Sequence, residues 1–325
     1  MFNSLPTEVK LDIFKCLNYK ELYSIKQTNF CFYAFINKYE GELAREKLSR
    51  ISDHFRQSKE VESKLIRPEA ENFDFALFDE QHKEFNEQLE VKWSGGLQKP
   101  IPLYLPDQGL DSKMAICLVN THNYKTRQIL LELPHIITSK NQMKIVYYYL
   151  DRLFNCSFDF GYFDQFIFNP ELIELLFGRI PKQIYLWTTF LMPSKAYNSE
   201  NFFKFFVNNL IGLSLRIDLY RVNAEEYLEV LQKILMKEGD KFGSVYLSCN
   251  KMPKLFESII NYNETSKDCS EIVNCFELNY LDTFTYPNQT KYQLSNKHNP
   301  KIEFFIFLRM VSYETKKNIL QISRN

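Results

Sequence analysis

Asp53 and His54 place a carboxylate beside an imidazole, the pairing in which one group orients the other as a general base. No nucleophile signature accompanies them. Gly-x-Ser-x-Gly and His-Glu-x-x-His are both absent, and the pair sits in a charged stretch where a solvated pair is the plainer reading. Cys249, Cys269, Cys275 and His298 form the densest metal-ligating set. Their gaps of 20, 6 and 23 residues lack the close ligand pairs that complete a structural zinc tetrahedron. Gly239-Asp240-Lys241-Phe242-Gly243 comes nearest to a phosphate cradle, but it lacks the Gly spacing that lets backbone amides approach an anion, and a turn explains it. No catalytic residue, cofactor or metal site is expected from these groups, and no enzymatic activity intrinsic to the chain. A site assembled from distant residues stays open as the alternative.

A binding surface is better supported. Tyr185, Trp187, Arg216 and Tyr246 belong to the residue types, Trp, Tyr and Arg, that dominate interface energies, and Asp218 follows Arg216 on the same strand face. They fall in segments that alternate apolar and polar residues, as half-buried strands do. Six such segments follow one another: Cys156 to Phe160, Ile184 to Trp187, Leu213 to Leu219, Val245 to Ser248, Phe276 to Tyr280 and Ile302 to Phe307. One inward anchor from each, Phe158, Leu186, Ile217, Leu247, Leu278 and Ile306, gives successive gaps of 28, 31, 30, 31 and 28 residues. Helix-like stretches lie between most of them, at Glu171 to Phe177, Ser199 to Leu210, Asn223 to Met236 and Pro253 to Tyr262. In the third, Asn223 can cap and Tyr227, Leu228, Leu231, Ile234 and Leu235 form the inward stripe. Thr283 to Asn299 reads as a loop.

Strand and helix repeating at a fixed period predict a solenoid, an α/β fold in which each unit buries its face on the next. Alternation favours a sheet bare on one side over a doubly wound sheet covered on both. The bare side would carry Asp159, Tyr185, Trp187, Arg216, Asp218, Tyr246, Ser248, Glu277 and Asn279. An ordinary α/β domain with coincidental spacing is the alternative, and if a strand is turned over the proposed face lies inside.

Ahead of this region, Leu5 to Arg45 reads as three short amphipathic helices. Ser4 can cap the first and Pro6 suits its opening turn, while Val9, Ile13, Cys16 and Leu17 share a face. Leu22 and Ile25 begin the second helix, and Phe32, Phe35, Ile36 and Tyr39 give the third. A unit of about 40 residues buries too little surface to stand alone. Its stripes pack either on the rest of the chain or on a partner.

The string Leu5-Pro6-Thr7-Glu8-Val9, with Ile13, Leu17, Leu22, Ile25, Phe32 and Ile36 following, resembles the F-box. The resemblance covers about 41 of 325 residues and departs from the family at Thr28, where a small aliphatic is commoner, and at Phe32, where Trp is. It implies that Leu5, Pro6, Val9, Ile13, Leu17 and Leu22 face a Skp-type adaptor. Through that adaptor the chain would join a cullin-based ubiquitin ligase, holding a protein substrate on the later strands at Tyr185, Trp187, Arg216, Asp218 and Tyr246. The alternative is a scaffold that binds the adaptor outside a cullin complex. The repeating region resembles a divergent leucine-rich-repeat array, a common companion of the F-box, without its Leu-x-x-Leu-x-Leu-x-x-Asn string. The aromatic-rich, glycine-poor composition is similar to that of the large F-box families of nematodes.

Between these regions, 46–100 reads as a charged helical linker, with Gly95-Gly96 and Pro100, Pro102 and Pro106 marking the start of a domain over 101–325. Thr126 to Leu133 and Gln142 to Phe154 look helical. Composition sets the remaining bounds. Hydrophobic residues make up 45% and aromatics 16%, ample for a core, and 40 basic against 40 acidic side chains give no footprint for nucleic acid or an anionic membrane. No apolar run reaches the roughly 18 residues of a membrane span and no signal peptide is evident, so a cytoplasmic or nuclear location is expected. Seven scattered cysteines read as buried free thiols of a reducing compartment, which makes the Asn-x-Ser/Thr triplets at Asn155, Asn263 and Asn288 chance matches.

Overall fold

The computed structural model describes residues 5–39, 42–53, 61–94, 100–106, 114–122, 125–164, 166–178, 182–193, 199–250, 254–281, 290–312 and 317–324. The chain opens with α1 (Thr7–Lys15), α2 (Tyr19–Lys26) and α3 (Phe30–Lys38). Strands β1 (Glu46–Ser52) and β2 (Glu62–Ile66) precede α4 (Phe75–Gln81) and α5 (Lys83–Ser94). Short β3 (Ile101–Pro102) and β4 (Tyr104–Pro106) lead to the hairpin of β5 (Ile116–His122) and β6 (Lys125–Leu131), then β7 (Ile136–Ile137) and α6 (Lys140–Phe154). Next come β8 (Cys156–Phe163), β9 (Phe166–Phe168), α7 (Pro170–Phe177), β10 (Ile184–Leu191), α8 (Ser199–Asn209) and β11 (Leu210–Asp218). The chain continues through α9 (Leu228–Lys237), β12 (Phe242–Cys249), α10 (Leu255–Thr265) and β13 (Cys275–Leu281). It closes with β14 (Thr290–Ser295), β15 (Glu303–Ser312) and β16 (Lys317–Arg324).

Twelve strands form one sheet in the order β14-β15-β16-β13-β12-β11-β10-β8-β1-β5-β6-β2. Six central strands, β1, β8, β10, β11, β12 and β13, run parallel, and antiparallel strands flank them on both sides. From β8 to β13 each parallel strand lies beside the one before it, with a helix in each crossover. Right-handed crossovers that always step in one direction place every helix on the same face. That face holds the main core, in which Leu172, Phe205, Phe206, Leu231, Ile234, Leu255 and Ile259 of the helices meet Phe158, Leu186, Leu215, Ile217, Val245, Leu247 and Leu278 of the strands.

Local chemistry starts the elements where they are found. Asn18 Oδ1 accepts from the Glu21 amide at 3.1 Å while Glu21 Oε2 accepts from the Asn18 amide at 2.9 Å, a reciprocal cap on α2. Ser139 accepts from the Gln142 amide to open α6, whose Met143, Val146, Leu150 and Leu153 are buried at helical spacing. Asn169 accepts from the Glu171 amide ahead of Pro170, which begins α7 without losing a donor. Asn223 accepts from the Glu225 amide, so one 3-10 turn precedes α9. Ser4, expected to cap α1, lies outside the described residues, and Pro6 occupies the N-cap position.

Several expectations are corrected. The solenoid, and with it the leucine-rich-repeat-like array, is overturned: the sheet is one open, mixed, 12-stranded sheet. Ile306 does not anchor a sixth repeat, because β15 pairs antiparallel with β14 and β16 instead of parallel with β13. The stretch read as a helical linker supplies two strands, β1 between β8 and β5, and β2 at the edge on β6. Thr126 to Leu133, expected helical, is mostly β6, since its apolar residues pair with β5 in register. The expected loop from Thr283 contains β14, and its turn is fixed by buried Asn296. Asn296 Nδ2 donates to the carbonyls of Asn263 and Ser266, and its Oδ1 accepts from the amides of His298 and Asn299. Gly95, Gly96 and Asn288 fall outside the described residues. Cys16 and Cys31 are exposed, contrary to the expectation of buried thiols, whereas Cys117, Cys249 and Cys269 are buried and Cys156 and Cys275 half-buried. Among the described residues no helix is long and apolar enough to cross a membrane.

Aromatic rings join α4 and α5 to α6 and α7. Tyr147 stacks on Phe85 at 3.9 Å and on Phe177 at 5.0 Å, while the His82 ring lies 4.5 Å from that of Phe78 and 5.4 Å from that of Tyr147. Burial among these rings pushes the His82 imidazole below its usual 6.5, with the Asp151 carboxylate opposing. Protonation therefore favours the unfolded chain. The His82 contribution is complete above the unfolded value and is lost as pH falls through the lower folded one. Urea denaturation at pH 7, 6 and 5 is expected to show falling stability, and His82→Phe should flatten part of that fall; an unchanged slope would show that His82 does not carry it.

Candidate functional site

Two surfaces carry the sequence-predicted residues. The first is the N-terminal trio, which closes around its own core. Phe14 (2% exposed), Leu22 (3%), Ile36 and Leu43 are buried together, with Leu11, Leu17, Ile25, Phe32, Phe35 and Tyr39 packed against them. Phe14 meets Phe32 edge-on at 5.9 Å and Phe35 at 5.4 Å. Of the six residues expected at an adaptor, Val9 and Ile13 are 42% and 43% exposed, one turn apart on α1. Pro6 is exposed and Leu5 half-buried. Leu17 is half-buried and lines a depression of about 400 Å³ with Glu21, Ser24 and Ile25. Leu22 points into the trio and is not on its surface. The sequence missed Phe14 as the centre of the trio, because on α1 it lies off the Val9–Ile13 stripe.

The second surface is the sheet face opposite the helices, and a shared bend shapes it. On β10 the buried residues are Ile184, Leu186, Thr188, Thr189 and Leu191, so strict alternation breaks just after Trp187, at the adjacent pair Thr188 and Thr189. Pairing skips the same position on the neighbouring strands, at Ser49, Asp159, Trp187, Leu213 and Gly243. At Gly212 the strands come so close that an added Cβ would collide with the Leu186 carbonyl oxygen, so β11 needs glycine there. The bend leaves a cleft of about 420 Å³ whose open-side walls are Lys47, Ser157, Asp159, Tyr185, Trp187, Ile211 and Leu213. Trp187 is 63% and Leu213 50% exposed.

Charge rims this cleft. Lys47 Nζ pairs with Asp159 Oδ1 at 2.8 Å. The Arg45 guanidinium lies 3.9 Å over the Tyr185 ring and donates to the Phe154 carbonyl, which holds both side chains. Beyond the bend, Ser52, Tyr162, Phe190, Arg216, Tyr246, Glu277 and Gln321 stand side by side on β1, β8, β10, β11, β12, β13 and β16. Tyr162 and Phe190 stack at 4.6 Å with rings 2° from parallel. Arg216 follows, 5.6 Å from the Phe190 ring and 4.9 Å from the Tyr246 ring. Asp218 accepts from the Tyr220 amide at the end of β11.

Tyr185 and Trp187 thus meet at the cleft, Arg216 and Tyr246 meet each other one bend further along, and Asp218 is engaged in the strand-end turn. Arg45, Lys47, Phe190 and Leu213 were missed. Lys47 falls in the stretch whose interleaved charges predict a helix, Phe190 lies past the expected end of its strand, and Leu213 leaves the alternating pattern at the bend.

Three of the residues considered for chemistry, Asp53, Cys269 and Cys275, make contacts within the fold. Asp53 Oδ2 accepts from the amides of Asp164 and Phe166 and so ties the end of β1 to the turn between β8 and β9. His54 lies outside the described residues. Cys269 Sγ accepts from the Asn296 amide group and Cys275 Sγ from that of Gln321, and burial pushes both thiols up, away from the thiolate that metals bind. Among the described residues no group of three or more His, Cys, Asp or Glu side chains could hold a metal ion. Gly239 to Lys241 is a 3-10 turn before β12.

Residues 66–220 are similar to a family described as a domain of unknown function, DUF8381. The match includes the cleft strands β8, β10 and β11 and excludes the trio, Lys47 and Tyr246. No curated protein and no solved structure matches the chain. Because Trp187 stands clear of the core, Trp187→Ala is expected to change the unfolding free energy by no more than about 0.5 kcal/mol in urea denaturation. A loss of about 3 kcal/mol, the scale of a buried aromatic, would show the ring to be core.

Proposed function

We propose that the chain is a non-catalytic recruiting subunit of a cullin-based ubiquitin ligase. The helical trio docks on a Skp-type adaptor and the open sheet face holds a protein substrate. The observation that carries this reading is the placement of Val9 and Ile13: the trio has closed its own core around Phe14, and these two apolar side chains remain outside it on one face of α1. An apolar stripe left outside a packed unit is a surface that a partner can cover. The F-box resemblance of Leu5, Pro6, Val9, Ile13 and Leu17 supplies the kind of partner.

Such a subunit works by proximity. Holding a substrate near a charged conjugating enzyme raises its effective concentration and needs no catalytic residue in this chain. The bare aromatic face fits the second half of the task, since Trp187, Tyr185 and Arg216 are the residue types that anchor protein interfaces.

Purified chain is expected to bind a purified Skp-type adaptor, and Ile13→Asp should weaken the complex by about 1 to 3 kcal/mol without lowering the stability of the trio. Cullin should co-purify with the pair. Adaptor binding without cullin would favour the scaffold role, and equal binding by wild type and Ile13→Asp would remove the trio from the adaptor interface.

A further inference from the structure

We infer that the open face takes an extended acidic peptide, with a bulky apolar side chain in the cleft beside Trp187 and a carboxylate on Arg216. This rests on the reading of that face as the recruiting surface and names the chemistry of its substrate segment.

The apolar half follows from the cleft. Its volume of about 420 Å³ lies in the range of built ligand sites, and its walls offer Trp187, Tyr185 and Leu213 over a floor of Leu186 and Gly212. Lys47 and Asp159 at the rim neutralise each other and so leave the cleft without a net demand for charge.

The acidic half follows from Arg216. Arg216 is exposed, and its guanidinium is flanked by the rings of Phe190 and Tyr246 and makes no hydrogen bond or ion pair with a described residue. Ring faces hold a guanidinium in place but leave its in-plane N–H donors outward, and that fork matches a carboxylate. The neighbouring carboxylates are committed elsewhere: Asp218 to the Tyr220 amide, and Glu277, beyond Tyr246, to the Asn279 side chain. Leu213 at the cleft and Arg216 are three residues apart on β11, about 10 Å along an extended strand. A bound peptide would therefore carry its acid two to four residues from its apolar anchor.

The test is selection from a random 12-residue display library on the immobilised full chain. Enriched peptides are expected to share Trp, Phe or Leu with Asp or Glu two to four residues away. One such peptide, fluorescently labelled, should lose at least tenfold in affinity on Trp187→Ala, on Arg216→Gln, or when its acid is replaced by lysine. Replacing the acid by phosphoserine distinguishes the two sources of negative charge. Binding of the phosphoserine form tenfold or more tighter than the Asp or Glu form would overturn the carboxylate assignment in favour of phosphate. Failure to enrich the pattern, or affinity that both variants retain, would overturn the inference as a whole. Adaptor binding, measured on the same variants, should be unchanged. If the adaptor binds and no peptide does, the inference alone fails; if peptides bind and the adaptor does not, the face is a peptide site outside a ligase.

Discussion

The rest of the structure depends on a one-sided covering. From β8 to β13 each parallel strand is laid beside the last, so right-handed crossovers pile α7, α8, α9 and α10 on one face and leave the other to solvent. Strand chemistry follows from this asymmetry. Leu186, Leu215, Ile217 and Leu247 fill the covered side, while Tyr185, Trp187, Arg216 and Tyr246 stand on the bare one. Such a face is a stable surface only if its large side chains are supported laterally, and here they are. Arg45 lies over Tyr185, Tyr162 on Phe190, and Arg216 between Phe190 and Tyr246. The shared bend at Asp159, Trp187 and Leu213, which Gly212 permits, turns a flat face into one with a cleft.

The trio obeys a different constraint. It is too small for a large core, so it concentrates burial on Phe14, Leu22, Ile36 and Leu43, caps α2 with the Asn18–Glu21 pair and joins the end of α1 to the segment after α3 through the Lys15–Glu42 ion pair. That economy leaves Val9 and Ile13 unused. The two surfaces are built from separate hydrophobic clusters, one centred on the trio and one on the sheet and its helices. A chain with two such surfaces is suited to bringing two partners together.

Much of this was legible in the sequence wherever structure is local. The alternation around Tyr185 and Trp187 announced which side chains leave the core, and the stripe of Tyr227, Leu231 and Ile234 announced the helix that covers them. Long-range pairing was not legible. Glu46–Ser52 carries the charges of a surface helix, yet it becomes a central strand because β8 and β5 bond it on both sides. The 28-residue gap to Ile306 continues the period by coincidence, since among the described residues that interval holds strand β14 and no helix. A constant period with alternating strands is shared by every singly covered βα layer, so it cannot by itself distinguish a solenoid from an open mixed sheet. Within the site, the phase change at Trp187 and Leu213 hid Phe190 and Leu213, because a strict two-residue period cannot follow a strand through a bend.

The account claims that adaptor and substrate occupy separate surfaces, and hydrogen–deuterium exchange of the full chain, alone and saturated with a Skp-type adaptor, tests this most directly. The account predicts new protection over 7–17 and none over 184–191 or 210–218. Protection of the sheet face by the adaptor, or none over 7–17 in a formed complex, would contradict it.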